Sequence, residues 1–450
     1  MRRSRDLSSL EVIISQKVPN KRIAAITFGC KINQYETSCI LNQFLQEGYE
    51  IVDFIQPADV YLINTCSVTS RTDYKSRNAI RKALQAKAEN PAAKIIVTGC
   101  YSQINPSSIR ELGEVDLIVD NNSKSSIFSK ITTNDHSFQT VDQFSEFDDM
   151  DTFTMFEHTR AFIKIQDGCD FFCAYCTVPL GRGKPRSRTP EKVIEQIRTL
   201  ADRGYREFVL GGVNLGLYGR DLPSGQNLEN LLPVIEALSG VKLIRLSSLE
   251  PQFLTASLIQ VLAGMQKLAR HFHIPLQSGS DQLLISMKRH YSTSRFSEIT
   301  ASLMAAFPDA ALGLDIIAGL PGETDRLFQE TMDFLQDLKF TYLHVFPYSI
   351  RPGTLAAGMP DQVNGNTVNL HISRLLELSS RKKETYLKQL IADQTAITGI
   401  VEGREKDYWT GVSDHYIRFY LQEAGCLKGS YVRLKPEKIL DDGLEVRLCD

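Results

Sequence analysis

Hydrophobic positions in the first 130 residues predict strands that alternate with helices. Apolar, β-branched runs occur at residues 23–28, 60–63 and 94–97, and helical patterns fill residues 36–48 and 74–89 between them. Strands and helices that alternate along a chain form a parallel sheet with helical connections. We therefore predict an α/β domain with a parallel sheet over residues 21–133.

A second alternating pattern extends from residue 159 to residue 389. Six strand candidates occur there, at residues 162–165, 207–210, 243–246, 272–274, 313–317 and 342–346. Helical patterns intervene, among them residues 190–203, 228–238, 254–268 and 323–338. Six βα units predict a partial (β/α)6 TIM-like barrel, with its site at the C-terminal ends of the strands.

The remaining segments have a different character. Residues 131–159 contain seven acidic residues and no Lys or Arg, which predicts an acidic interdomain linker or mobile loop over residues 134–158. Four phenylalanines offer possible anchors for it: Phe144, Phe147, Phe153 and Phe156. From residue 390 to 450, short alternating runs separated by Gly and Asp turns predict a small antiparallel β-barrel.

Composition places the chain among ordinary globular proteins. Its 450 residues are 42% apolar and 23% charged, and the length suggests about three domains. No apolar run approaches the ~18 residues of a membrane helix, and the basic residues 1–5 are followed by no hydrophobic segment. Nine cysteines without an export signal favour reduced thiols or metal ligands. We expect a cytoplasmic protein with no membrane partner.

The net charge of −2 excludes a globally basic nucleic-acid binder, so any RNA contact must be local. A basic cluster follows the cysteine-rich loop and supplies candidate phosphate contacts: Arg182, Lys184, Arg186 and Arg188. Aromatic residues of the tail alternate with cations and fit either base stacking or a strand core: Tyr408, Trp409, Tyr416, Phe419 and Tyr420.

Cys169, Cys173 and Cys176 lie close together on one short loop. Three thiolates at such spacing can hold three irons of a [4Fe–4S] cube and leave the fourth iron open to a small molecule. A zinc knuckle would need a fourth Cys or His at similar spacing, and none follows Cys176. The loop therefore predicts an iron–sulfur cluster with a chemical role.

Three more cysteines each follow a predicted strand of the first domain. Cys30, Cys66 and Cys100 come directly after the three apolar runs, and ligands of parallel sheets bind at the carboxyl ends of the strands. Convergence there predicts a second three-cysteine cluster, and three unrelated buried cysteines are the alternative. Cys39 falls within a helix and fits the core, while Cys426 and Cys449 have no partner motif.

The Cys-x3-Cys-x2-Cys spacing, with Tyr175 before its last cysteine, resembles the radical S-adenosylmethionine (SAM) enzymes. Further motifs, at residues 27–37, 64–69, 273–280, 344–349 and 351–354, resemble the methylthiotransferases from residue 21 to the end of the chain. They are similar to the branch that acts on N6-threonylcarbamoyladenosine in tRNA. One departure is Gly181, where that branch usually has Ala.

The resemblance implies a cluster domain, a radical SAM barrel and a C-terminal TRAM domain. SAM on the Cys169/Cys173/Cys176 cluster would give a 5′-deoxyadenosyl radical, the second cluster would donate sulfur, and a second SAM would supply the methyl group. The product would carry a methylthio group at C2 of the adenine. Candidate SAM contacts implied by the resemblance are Tyr175, Gly211, Gly212, Gln277 and Gly319.

The implied partners are tRNA, SAM and a reductase or a flavodoxin or ferredoxin as electron donor, and we expect a monomer. Two alternatives stay open. One is a sibling enzyme that modifies isopentenyl-adenosine or an aspartate of a ribosomal protein, which the motif at residues 31–37 disfavours. The other is a non-catalytic iron–sulfur sensor that binds RNA.

Overall fold

The N-terminal domain is a five-stranded parallel sheet. The computed structural model describes residues 21–156, 158–223, 225–422, 425 and 427–449, so residues 1–5 and Cys426 lie outside the described part of the chain. The strands are β1 (Arg22–Thr27), β2 (Glu50–Val52), β3 (Val60–Thr65), β4 (Lys94–Gly99) and β5 (Leu117–Ile118), in the order β2-β1-β3-β4-β5. The helices are α1 (Lys31–Gln46), α2 (Ser70–Glu89), α3 (Cys100–Ile104), α4 (Pro106–Arg110) and α5 (Ile127–Thr133).

The three strands predicted for this domain are confirmed as the centre of the sheet. Strand β3 is buried along its whole length, as its continuous apolar run requires when a sheet is covered on both faces. The two edge strands β2 and β5 escaped prediction because they are only three and two residues long.

The six predicted barrel strands are all present. They are β6 (Ala161–Asp167), β8 (Glu207–Gly212), β9 (Leu243–Leu246), β10 (His271–Gln277), β11 (Ala311–Ala318) and β12 (Tyr342–Pro347), with β7 (Arg186–Ser187) antiparallel to β6. They form two arcs, β7-β6-β8-β9 and β10-β11-β12. The helices are α6 (Val178–Arg182), α7 (Pro190–Asp202), α8 (Leu228–Glu236), α9 (Ala256–Gly264), α10 (Asp281–Ser286), α11 (Thr293–Ala306), α12 (Asp325–Asp337) and α13 (Gly365–Ala392).

The tail is a closed five-stranded barrel. Its strands are β13 (Ile397–Glu405), β14 (Tyr408–Ser413), β15 (Arg418–Leu421), β16 (Tyr431–Leu440) and β17 (Gly443–Leu448). Neighbouring strands are antiparallel except β15 and β17, which pair in parallel. Phe419 and Tyr420 are buried and Trp409 packs on the barrel core, so these aromatics serve the strand core rather than an exposed stacking surface.

The first domain and the partial barrel share one hydrophobic core. Tyr35 and Phe44 of α1 belong to the same buried cluster as Ile163 of β6, and the rings of Tyr35 and Phe162 lie 6.4 Å apart. Helix α1 is therefore packed between the N-terminal sheet and the barrel, which fixes the two domains against each other.

The acidic segment, at residues 134–156 and 158, is packed onto this junction. Met150 and Met155 are buried, the Tyr35 hydroxyl donates to the Met150 carbonyl at 2.7 Å, and the Thr152 amide donates to Gln196 Oε1 at 2.9 Å. A mobile loop was one expectation for this segment. The structure corrects it, because buried methionines and these hydrogen bonds attach the segment to both domains.

A buried group of charges, which we call the Glu36 network, lies at the same junction. Its members are Glu36, Lys124, Lys164, Asp167 and Arg182. Glu36 Oε1 lies 2.9 Å from Arg182 Nη1 and 3.0 Å from Lys164 Nζ, and the Glu36 carboxylate also pairs with Lys124. Burial favours the neutral acid, but the three cations hold the pKa of Glu36 well below its usual value.

A loop of the tail barrel docks against the partial (β/α)6 barrel. The Arg245 guanidinium donates to the carbonyls of Asp414 and Ser413, and the rings of Tyr416 and His271 stack 4.6 Å apart. His415 bonds to Asp414 at 2.8 Å and lies 3.8 Å from Asp309 of the partial (β/α)6 barrel. None of the helices within the described ranges could cross a bilayer, since each is too short or too polar.

Replacing Glu36 by Gln should destabilise the protein strongly. Three buried cations would lose their shared carboxylate, and breaking a buried ion pair costs about 3–5 kcal/mol. We expect the urea midpoint of E36Q to fall well below that of the wild type. The exposed pair of Glu405 and Arg418 supplies the control, since E405Q should change the free energy of unfolding by less than about 1 kcal/mol. Equal midpoints for the two variants would contradict the role of the network.

The docking of the tail should weaken at alkaline pH. Burial opposes protonation of His415, but Asp414 and Asp309 outweigh it and raise its pKa to about 9. Because an unfolded His has a pKa of about 6.5, the stabilisation is complete below that pH and is lost as pH rises through about 9. We expect the melting temperature to fall between pH 7 and 9.5 in the wild type, with a smaller slope in H415Q. An unchanged slope would show that His415 does not stay protonated.

Candidate active site

The N-terminal thiol set, which we define as Cys30, Cys66 and Cys100, gathers at one edge of the parallel sheet. These cysteines follow β1, β3 and β4, as the sequence predicted. Gly29 has a φ of +97°, and a Cβ at this position would lie 2.5 Å from Cys66 Sγ. Burial, together with the nearby thiols of Cys100 and Cys30, raises the pKa of Cys66 to about 12.

Hydrogen-bond donors and a cation surround these thiols. The Val68 amide donates to Cys66 Sγ at 3.5 Å, and Asn121 Nδ2 donates to Cys100 Sγ at 3.8 Å. Burial raises the pKa of Cys30, whereas the Arg182 guanidinium acts to lower it. Such donors favour thiolates, the form of cysteine that binds iron. No local sequence signal indicated Asn121 or Arg182 for this task.

The barrel thiol set, Cys169, Cys173 and Cys176, occupies the loop after β6. Gly168 has a φ of +76°, and a Cβ there would lie 2.0 Å from the Lys184 carbonyl. The Cys176 amide donates to the Cys173 carbonyl at 2.9 Å and closes a tight turn. Burial, together with the neighbouring thiols of Cys173 and Cys169, raises the pKa of Cys176 to about 12.

Each sulfur of the barrel thiol set also receives a hydrogen bond. The donors are Asn214 Nδ2 to Cys169 at 3.6 Å, Arg289 Nη1 to Cys173 at 3.2 Å and the Val178 amide to Cys176 at 3.4 Å. These donors fit the stabilisation that cluster-bound thiolates need.

Arg289 is held by several groups in addition to Cys173. Its Nη2 pairs with Glu250, and its Nε donates to the Tyr291 hydroxyl at 3.1 Å. The Tyr291 hydroxyl in turn donates to the Pro275 carbonyl at 2.9 Å. Arg289 lies between Lys288 and His290 in the sequence and resembles an ordinary surface charge, so only the fold could reveal its role.

A cavity of about 230 Å³ lies beside Cys176 of the barrel thiol set and beside the segment that follows Cys66 of the N-terminal thiol set. Val68 and Thr69, directly after Cys66 and Ser67, form one part of its wall, and Tyr175 and Cys176 form another. The remaining wall is built mainly by the C-terminal ends of the barrel strands, through Gln277, Asp315, Ile317, Phe346 and Pro347. This is the position that the barrel architecture predicted for the site.

The loop segments that carry the two thiol sets touch each other directly. Thr177 Oγ1 donates to the Ser67 carbonyl at 3.4 Å, and Asn121 Nδ2 donates to the Gly181 carbonyl at 2.6 Å. A Cβ at Gly181 would lie 3.4 Å from Cys100 Cβ, close to ordinary contact distance. The alanine that is usual in the resembling branch would therefore fit here with little adjustment.

The predicted SAM contacts occupy different environments. Tyr175 and Gln277 line the cavity. A Cβ at Gly211 would lie 2.0 Å from the Phe162 ring, and one at Gly319, where φ is +80°, would lie 2.4 Å from Val368. Gly212 is similarly crowded, since its Cβ would lie 2.7 Å from Gln166 Oε1. The protein's own packing thus requires these glycines, and their contacts with SAM stay a prediction.

The predicted phosphate contacts Arg182, Arg186 and Arg188 are wrong, because all three side chains are buried. Arg182 pairs with Glu36 and Asp167, and Arg186 Nη1 donates to two main-chain carbonyls. Arg188 donates to Asp149 at 2.6 Å and also pairs with Asp151 of the acidic segment. Guanidinium groups committed inside the protein cannot reach a phosphate. Lys184 is exposed, and its contact with RNA stays a prediction.

Comparisons with known proteins agree with this architecture. Residues 22–120 match the model described as uncharacterized protein family UPF0004, and residues 163–335 match the radical SAM superfamily. A solved structure of the radical SAM methyltransferase TsrM from Kitasatospora setae has a TM-score of 0.57 at 14% identity and covers 75% of each chain. At this identity the likeness shows the fold alone.

Curated relatives cover most of the chain. Proteins named threonylcarbamoyladenosine tRNA methylthiotransferase MtaB are 39% identical in Bacillus subtilis, over 92% of this chain and 93% of the relative, and 38% identical in Aquifex aeolicus, over 82% and 90%. A tRNA-2-methylthio-N(6)-dimethylallyladenosine synthase from Syntrophobacter fumaroxidans is 33% identical over 84% of each chain. The chain therefore belongs to the radical SAM family of threonylcarbamoyladenosine tRNA methylthiotransferases.

Proposed function

We propose that the protein replaces the C2 hydrogen of N6-threonylcarbamoyladenosine, beside the anticodon of tRNA, with a methylthio group. The observation that carries this proposal is the cavity whose wall is shared by the segments that follow Cys66 and contain Cys176. One bound nucleoside could meet both thiol sets there. The relatives from Bacillus subtilis and Aquifex aeolicus are named for this reaction, which supports the choice of substrate.

The barrel thiol set would hold the [4Fe–4S] cluster of a radical SAM enzyme. Its three sulfurs, their N–H donors and their partial burial fit a cluster with one iron open to SAM. When bound, the cluster supplies the electron that cleaves SAM. A radical is required because the C2–H bond is too weakly acidic for removal by a general base.

The N-terminal thiol set would hold a second [4Fe–4S] cluster that carries or donates the sulfur. The charge balance around it supports this assignment. The buried Arg182 guanidinium pairs with Glu36 and Asp167 at this junction. It acts to lower the pKa of both Cys30 and Cys66, which burial raises. A guanidinium that acts on these thiols suits a neighbouring group with three thiolates.

The cavity walls position the bound molecules and exclude water. Val68, Val178, Ile317 and Phe346 give the site apolar walls, which protect a reactive radical from solvent. Tyr175 and Gln277 stand at the wall as the polar groups assigned to SAM. The backbone at Gln277 has a φ of +68° and follows a register shift in β10. The conformation at the end of this strand therefore sets the orientation of the Gln277 side chain.

The proposal includes tRNA and SAM as partners and a reductase, flavodoxin or ferredoxin as the electron donor. We assign the activity to a monomer. Lys184 is the candidate phosphate contact, since it is exposed and its carbonyl adjoins Gly168 at the start of the cysteine loop.

Expression in a host that lacks its own methylthiotransferases should produce the new nucleoside. Mass spectrometry of digested tRNA should then show 2-methylthio-N6-threonylcarbamoyladenosine. C173A and C100A should each abolish the peak, and C449A is the matched control because Cys449 belongs to neither thiol set. A methylthio-isopentenyladenosine peak would transfer the protein to the sibling branch. No new nucleoside from protein with both clusters loaded would favour the ribosomal-protein or sensor alternative.

Replacing Arg289 by Gln should lower the reduction potential of the cluster on the barrel thiol set. The change removes a positive charge and the N–H donor to Cys173, both of which stabilise the reduced, more negative cluster. Redox titration followed by electron paramagnetic resonance should show a fall of several tens of millivolts, with a smaller fall in R289K. The exposed Arg295 supplies the control R295Q. An unchanged potential would restrict Arg289 to a packing role.

A further inference from the structure

Three adjacent barrel strands bring two imidazoles and a carboxylate together beside the cavity. His273 lies on β10, Asp315 on β11 and His344 on β12, and Asp315 pairs in register with His344. His273 Nε2 lies 2.8 Å from Asp315 Oδ1, and His344 Nδ1 lies 3.4 Å from the same oxygen. All three ligand atoms lie within 4.8 Å of one another.

We propose that His273, Asp315 and His344 form a binding site for a divalent transition-metal ion. Two imidazoles and one carboxylate on one side of an ion are a donor set that suits Fe²⁺, Mn²⁺ or Zn²⁺ and leaves positions open. His273 Nε2 and His344 Nδ1 lie 2.8 and 3.4 Å from Asp315 Oδ1, and such separations are consistent with metal–ligand bonds of about 2.0–2.2 Å. The nitrogen and oxygen donors separate this site from the two thiol sets.

Neighbouring groups orient these ligands. Ser248 Oγ lies 2.9 Å from His273 Nδ1, which directs Nε2 of the same ring toward Asp315. Metal-binding histidines normally have such a partner on the other ring nitrogen, because it fixes the ring and its tautomer. The two imidazole rings are nearly perpendicular, with centroids 4.9 Å apart, and both reach the same carboxylate oxygen.

The surrounding charges permit a cation. Asp315 places its carboxylate between the two imidazoles. Among the positive neighbours, Arg289 is paired with Glu250 and Arg245 with Glu207, so each of these guanidinium charges is balanced by a carboxylate.

The site opens toward the cavity, since Asp315 lines it and the side chain of His344 is 43% exposed. An oxygen ligand from that side could complete the coordination shell. Both histidines lie in motifs, at residues 273–280 and 344–349, and the proposed reaction gives neither imidazole a chemical role. The inference goes beyond the proposed function and does not depend on the identity of the RNA.

Titration of the holoenzyme with Mn²⁺ tests the site directly. Oxidised [4Fe–4S] clusters have no net spin, so the six-line paramagnetic resonance signal of free Mn²⁺ can be followed in their presence. We expect the wild type to bind one Mn²⁺ per chain at micromolar Mn²⁺ concentration, so that the signal of free Mn²⁺ is lost over the first equivalent. S248A should weaken binding about tenfold, as loss of an orienting partner does. H344A and D315N should weaken it by a larger factor.

The control variant is H136A, since His136 is exposed and bonds to the nearby Asn134. It should bind Mn²⁺ as the wild type does. The iron content of each variant reports whether it has folded. If H344A loses its iron, the Mn²⁺ affinity of D315N is compared with that of the wild type instead. The proposal is overturned if the wild type leaves Mn²⁺ free up to millimolar concentration. It is equally overturned if wild type, H344A and D315N bind alike, which would indicate scattered surface carboxylates.

Discussion

The rest of the structure depends on one carboxylate that has no access to water. Glu36 lies on the helix that follows Cys30, and it gathers cations from three other segments: Lys124, Lys164 and Arg182. Buried charges are tolerated only when they are paired, so these segments have one acceptable arrangement. That arrangement joins the N-terminal sheet to the barrel and thereby sets the distance between the two thiol sets.

The same constraint explains why the loop of the barrel thiol set lies close to the N-terminal thiol set. After Cys176 the chain makes one short helix, in which Gly181 lies against Cys100 and Arg182 enters the Glu36 network. Arg182 thus connects the fold to the site, because the guanidinium that pairs with Glu36 also acts on the thiols of Cys30 and Cys66. The same guanidinium therefore forms a structural ion pair and contributes to the electrostatics of a cluster site.

The sequence predicted the features that depend on periodicity and topology. It did not predict the burial of side chains whose partners are distant in the sequence. All six barrel strands and the convergence of Cys30, Cys66 and Cys100 followed from apolar runs and from the rule on strand ends. The burial of Arg188 did not, because Asp149 and Asp151 lie nearly 40 residues earlier, in a segment that looked like a linker. Likewise, Phe419 alternates with cations like a stacking surface, yet it faces the interior of a closed barrel.

The cavity combines two ways of holding a donor atom. Its sulfur donors lie on loops with unusual backbone, such as the positive φ of Gly29, Gly168 and Phe172, so their positions depend on turns packed against neighbouring segments. The imidazole and carboxylate donors lie instead on paired strands, where hydrogen-bond register sets their separation before any ion is present. Strand register makes an N/O site rigid, which favours ions of matching size, whereas loops can adjust to a large cluster. Soft thiolates and harder nitrogen and oxygen ligands therefore remain separate in chemistry as well as in position, although they face the same cavity.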